Sequence, residues 1–170
     1  LFFILSLFSD NKMIKILKPA GWIALFALVV IQFVQPDKNQ QGYESVVLFE
    51  QETQVSEELG VFLRTNCYDC HSNQTTYPWY SQISPLNYWL EEHIVDGKKH
   101  FNVSDWATYS VKKKDHKLDE LIEEVEEGEM PLPSYQYVHG CLTSEQKMVL
   151  IEWAQMARLN YQEELKVLER

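Results

Sequence analysis

The sequence predicts an all-α domain carried behind an apolar N-terminal helix. Three observations predict it: helical spacing of apolar residues in four segments, no convincing strand alternation, and one uncharged apolar run near the start.

The run comes first in chain order. Residue 1 is Leu and Met13 reads as an initiator, so residues 1–12 are expected to be a spurious or upstream extension. Residues 13–35 read as a membrane anchor or uncleaved signal. Lys15 and Lys18 precede the apolar stretch from Ala20 to Val34, and a positive flank marks the cytoplasmic end. Counted from Ile14, the run reaches the ~20 residues of a spanning helix if the lysines snorkel. It ends Gln-Phe-Val-Gln-Pro-Asp, without the small residues a signal peptidase needs, which favours an uncleaved anchor over a cleaved signal. Both readings put the following chain outside the cytoplasm; a buried core helix is the third alternative.

Residues 36–44 are polar, lack periodicity and read as a linker. The folded domain is expected over residues 45–159. Its first helix covers about Gln54 to Asn66, with Leu59, Phe62 and Leu63 in a stripe. The second opens at Ser84-Pro85 and ends near Gly97, presenting Leu86, Trp89, Leu90, His93 and Ile94. The third covers about Asp115 to Glu127, buries Leu118, Leu121, Ile122 and Val125, and stops at Gly128. The fourth starts at Thr143, where Thr-Ser-Glu-Gln reads as a capping box, and carries Val149, Trp153 and Ala157 to Leu159. Residues 160–170 read as a charged tail.

Composition narrows the function classes. Apolar residues at 45% and aromatics at 13% supply a core. A net charge of −10 excludes nucleic acid as a partner, since phosphates would go unneutralised. Three cysteines are too few for a disulfide scaffold.

The chemistry sits in Cys67-Tyr68-Asp69-Cys70-His71. Two thiols one helical turn apart can form thioethers with the vinyl groups on one porphyrin edge, and the next histidine then reaches the iron. This spacing is the signature of c-type haem attachment, with Cys67 and Cys70 covalent and His71 the proximal ligand. Two other chemistries use similar residues. A zinc site would combine Cys67, Cys70 and His71 with His139 or Cys141. A redox dithiol would want a strand before a helix N-terminus, which is missing here.

The surrounding residues resemble the bacterial haem-binding domain family: Cys-Tyr-Asp-Cys-His-Ser-Asn (67–73), Pro-Trp-Tyr (78–80), His93, Gly97, His100 and Gly-Glu-Met-Pro (128–131). The resemblance covers about residues 45–158. It implies a single-haem, membrane-anchored, cytochrome c-like module, and leaves the pathway open.

The second axial position decides much of the function. Met130 is the leading candidate for distal ligand: it follows Gly128, precedes Pro131, and lies ahead of the last helix, as in the class I cytochromes this layout resembles. His93, His100, His139 and an open site are the alternatives, and His116 reads as solvated. Pro78 or Pro85 could offer the carbonyl that orients His71. Tyr77, Trp79, Tyr80, Trp89 and Trp106 are candidate pocket walls, with plain core packing the blander reading of each. The acidic run from Asp119 to Glu129 reads first as a solvated face and second as a docking face for a basic partner. Cys141 reads as incidental.

The sequence thus points to one haem c and to electron transfer with redox partner proteins. The expected place is the outer, periplasmic face of the bacterial inner membrane, with no enzyme activity of its own. A haem-based sensor with an open sixth site and a zinc-stabilised structural domain are the alternatives.

Overall fold

The computed structural model describes residues 11–168, with side chains from residue 17 onward, and its regular elements there are all helical. One isolated antiparallel bridge, Gln40 to Gln74, is the sole strand-like pairing among them. The extension expected over residues 1–12 falls almost wholly outside the described residues. The chain divides into two compact units, one formed by residues through Asp37 with Pro78–Glu92, the other by Lys38–Tyr77 with residues from His93 on.

The first unit holds α1 (Asn11–Ile31), a 3-10 turn (Trp79–Gln82) and the opening turns of α5 (Leu86–His100). No helix among the described residues is long and apolar enough to cross a membrane. Within α1 the uncharged apolar run starts only after Lys18 and Pro19, and the helix closes at Ile31, short of the expected Val34. That run is below the ~20 residues a span takes. The helix closes where Gln32 turns to pair with Ser84. Its amide donates to the Ser84 carbonyl at 3.0 Å and accepts the Ser84 N–H at 2.9 Å. Ser84 was expected to cap the following helix; its hydroxyl instead donates to the Ile31 carbonyl at 3.2 Å.

The second unit contains α2 (Val47–Glu52), α3 (Glu57–Asn66), α4 (Tyr68–His71), α6 (Val111–Glu127), α7 (Pro133–His139) and α8 (Ser144–Leu168). Local chemistry sets these boundaries. Ser56 caps α3 by accepting the Leu59 N–H at 3.2 Å, and Gly128 ends α6 in the left-handed region at φ +81°. The capping box is present: Thr143 N–H donates to Gln146 Oε1 at 2.8 Å, and Gln146 N–H donates back to Thr143 Oγ at 3.1 Å.

α6 and α8 lie along each other, burying Leu118, Ile122 and Val125 of one and Leu150, Ala154 and Ala157 of the other. Arg158 of α8 ties the pair through Asp115 at 2.9 Å and through Asp119. Both helices are longer than their apolar patterns suggested. α6 begins at Val111 because Ser110 caps it, accepting the Lys113 N–H at 3.3 Å. α8 runs through the expected tail to Leu168 because Tyr161 belongs to the core.

That core is edged by a half-buried carboxylate. Glu52 Oε2 accepts from Lys114 Nζ at 2.6 Å, Tyr161 OH at 3.0 Å and Trp106 Nε1 at 3.1 Å. Burial pushes the Glu52 carboxyl up, but those hydrogen bonds and the Lys114 charge outweigh it and leave it below its ordinary value. Trp106, a candidate pocket wall from sequence, is 0% exposed and packs edge-on against Phe49 at 4.8 Å between ring centres. Its place is the structural core.

The expected linker is only half a linker. Asn39 accepts the Thr75 N–H at 2.8 Å, and its amide donates to the Ser72 carbonyl at 2.8 Å and to Thr75 Oγ1 at 2.9 Å. Gln41 N–H donates to the Asn73 carbonyl at 2.9 Å, and Gly42 N–H to Gln74 Oε1 at 2.8 Å. Residues that look like a solvated tether by composition are a strap over segment 72–77. The Asn39 side chain and the backbone of Asn39, Gln41 and Gly42 partner polar groups of that segment that no helix serves.

Candidate functional site

Cys67 ends α3 and starts α4. Its carbonyl accepts the N–H of Cys70 at 3.2 Å and of His71 at 3.0 Å, and Tyr68 accepts the Ser72 N–H at 2.9 Å. One helical turn therefore carries both thiols three residues apart, which places them on the same side. Both thiols are free and partly exposed. Burial pushes the Cys67 thiol up to about 12, helped by Cys70, and the Cys70 thiol up to about 11, helped by Asp69. An attacking redox thiol is favoured by the opposite shift.

Tyr68, between the cysteines, faces the core. It is fully buried, its hydroxyl reaches Glu50 at 3.3 Å, and its ring meets Phe49 edge-on. Burying Tyr68 fixes the turn on the core, against which Cys67 also packs.

His71 is oriented by α5. Its Nδ1 lies 2.8 Å from the Phe101 carbonyl, and a carbonyl only accepts, so Nδ1 carries the proton and Nε2 keeps its lone pair. The Phe101 ring sits against the imidazole at 5.7 Å between centres. Burial pulls the His71 pKa down, opposed by the Phe101 and Gly97 carbonyls and aided by His100, leaving a neutral ring. A neutral imidazole with Nδ1 anchored and the lone pair left on Nε2 is what a metal ligand needs.

Sequence reasoning expected the orienting carbonyl from Pro78 or Pro85, but the structure supplies it from Phe101. The difference follows from the length of α5, which runs through Gly97 to His100 instead of stopping near Gly97. Gly97 is helical, and its value is the missing side chain. A Cβ there would stand 2.7 Å from the Cys70 carbonyl oxygen and 3.2 Å from Cys70 Cβ. Glycine lets α5 touch the backbone of the motif and bring Phe101 over His71.

The residues after the motif lock it from below. Ser72 and Thr75 are buried; Ser72 Oγ donates to the Tyr68 carbonyl at 2.8 Å, and Thr75 Oγ1 donates to the Asp69 carbonyl at 2.6 Å. Asp69 Oδ1 accepts the Thr76 N–H at 2.7 Å, and Tyr77 OH accepts the Asn39 N–H at 2.8 Å. Tyr77 therefore holds the strap. Trp79, Tyr80 and Trp89, the other aromatic candidates, belong to the other unit.

No group of three or more His, Cys, Asp or Glu side chains among the described residues could hold a metal ion. The four-ligand zinc set therefore has no support: His139 stacks on Tyr135 at 4.3 Å, and Cys141 is exposed. Among the axial candidates, Met130 packs partly buried against the core, its N–H donating to the Glu124 carbonyl at 3.0 Å. His100 sits 3.6 Å from Asp96 and His116 3.3 Å from Glu120, both on exposed faces. His93 lies on α5. α7 follows Met130 closely, and Tyr135 OH ties it to the Thr65 carbonyl at 2.9 Å, two residues before the motif.

The donor set fits a haem: two thiols on one turn and a neutral imidazole whose lone pair is left on Nε2. Sequence reasoning missed Phe101 and Phe49, for which no local pattern gave a signal. It read Gly97 as the end of a helix, not as a point of close approach. A model of the haem-binding domain family matches residues 26–156, and no curated protein and no solved structure matches the chain.

Proposed function

Because the chain belongs to the haem-binding domain family, we propose that it carries one covalently attached haem c and works in electron transfer at the outer face of a bacterial inner membrane. Cys67 and Cys70 form the thioethers and His71 Nε2 is the proximal iron ligand. Met130 is the distal one. The observation that carries the reading is the 2.8 Å bond from His71 Nδ1 to the Phe101 carbonyl, which fixes the tautomer a ligand requires. When bound, the haem supplies one-electron exchange between ferric and ferrous iron. The protein holds it, shields it and sets its axial field, and no side chain has to move a proton. We assign no enzyme activity, and the partners are redox proteins.

The membrane assignment rests on α1. From Pro19 to Pro36 the chain has no charged residue, and Trp22, Ile23, Phe26 and Leu28 are exposed along the helix. An apolar surface left open to that extent asks for a lipid environment. Lys15 and Lys18 set the cytoplasmic end.

The test is expression of the full chain beside a haem-attachment system, followed by a pyridine haemochrome spectrum. The expected result is a c-type spectrum that survives denaturation and acid-acetone extraction. Haem that extracts freely would restrict the protein to non-covalent binding. A zinc-containing, colourless product would replace the reading altogether.

A further inference from the structure

The segment Pro78–Leu90 has no charged residue, like the stretch Pro19–Pro36, and the two together make most of the first unit. It exposes large apolar side chains: Trp79 at 78%, with Ile83, Leu86 and Trp89 also open.

Hydrogen bonds pin this segment to the C-terminal end of α1. Gln32 pairs twice with Ser84, and Ser84 Oγ donates to the Ile31 carbonyl. Asn87 Nδ2 donates to Gln35 Oε1 at 2.8 Å, and Tyr88 OH to the Val34 carbonyl at 2.9 Å. Of these acceptors, the Ile31 carbonyl closes α1 and also takes the Val34 N–H at 3.2 Å, and Val34 lies just past the helix end. Phe33, at 84%, and Val34 continue the exposed apolar surface at the same level.

We propose that Trp79, Ile83, Leu86 and Trp89 form a membrane-interface foot that sits in the headgroup region of the bilayer where α1 emerges. This rests on the reading of α1 as an anchor and adds a second, independent contact to it. Three features select lipid as the occupant. The patch is continuous with the apolar helix, it carries two tryptophans of the kind enriched at headgroup depth, and it lacks charge, so contact is apolar and not electrostatic. The hydrogen bonds to residues 31–35 hold the foot at the depth where the helix ends. The foot also limits how far α1 can tilt or slide.

The experiment uses the full haem-loaded chain in phosphatidylcholine bilayers containing a photoreactive diazirine, placed either near the headgroup or deep in the acyl chain. A water-soluble diazirine serves in parallel, and peptides are mapped by mass spectrometry. The expected pattern is deep labelling of residues 20–31 and shallow labelling of Trp79, Ile83, Leu86 and Trp89. Trp79→Glu combined with Trp89→Glu should move the label on residues 78–90 to the soluble probe while α1 keeps its deep label. If α1 is labelled by lipid and residues 78–90 only by the soluble probe, the foot is refuted and the anchor stands. Protection of residues 78–90 from every probe would assign them to a protein surface and refute the foot. Shallow labelling that persists in the double variant also refutes it. If neither segment takes a lipid label, the anchor reading itself has failed.

Discussion

The turn Cys67–His71 and the stretch Met130–Gly140 are the two parts of the chain expected to face the iron, and they are built differently. The first is held from all sides. Tyr68 is plugged into the core, Ser72 and Thr75 bond back onto the motif, α5 touches Cys70 at Gly97, and Phe101 fixes the imidazole. The second is seated at its start, where Met130 packs on the core and Pro131 is buried, and is more open beyond it: α7 has no buried residue and Tyr137 is 91% exposed. A covalent, permanently ligated side gains from rigidity, because thioether formation and axial ligation need fixed geometry. The other side is where ligand identity, potential and access are set, and a lightly packed segment can adapt to the ring.

The largest effect should come from His71→Ala. It removes the one ring nitrogen left open by the Phe101 bond, so the low-spin absorption spectrum of the loaded protein should disappear. A retained low-spin spectrum would mean that another residue serves as proximal ligand. Met130→Ala comes next and tests the looser side: the near-infrared sulfur-to-iron band of the ferric protein should vanish, and the reduced protein should bind carbon monoxide rapidly. Rapid carbon monoxide binding by the unaltered protein would instead make the sixth site open and the sensor reading the better one.

The contrast between the two regions also explains what the sequence could say. The cysteine and histidine spacing is written in five consecutive residues, and the four helices rest on local periodicity, so these were legible. Helix lengths were not, because Tyr161 reaches Glu52 and Ser110 caps α6, and both depend on side chains rather than on apolar spacing. Phe101 was illegible for a similar reason: its backbone carbonyl does the work, and a carbonyl has no sequence signature. Gly97 looked like a helix stop, which is the commoner use of glycine, when its use is close approach. The polar residues 39–42 looked like a tether because composition does not reveal which backbone groups their amides will meet.

A smaller effect should follow from Gly97→Ala. The added methyl meets backbone, which cannot swing aside, so overpacking should cost about 1–3 kcal/mol in urea unfolding of the loaded protein. A neutral result would show that α5 does not press on the motif. The smallest effect should be that of Tyr135→Phe, which removes an exposed bond and should cost about 0.5 kcal/mol. A loss several times larger would mean that α7 is as firmly fixed as the motif turn, and the contrast between the two sides would fall.

The central claim is a porphyrin joined to two sulfurs beside an oriented imidazole. Intact mass of the denatured protein, made beside a haem-attachment system and treated with iodoacetamide, tests it most directly. The account predicts one added haem mass, with Cys141 the only alkylated cysteine. Alkylation at Cys67 and Cys70 with no haem retained would contradict it.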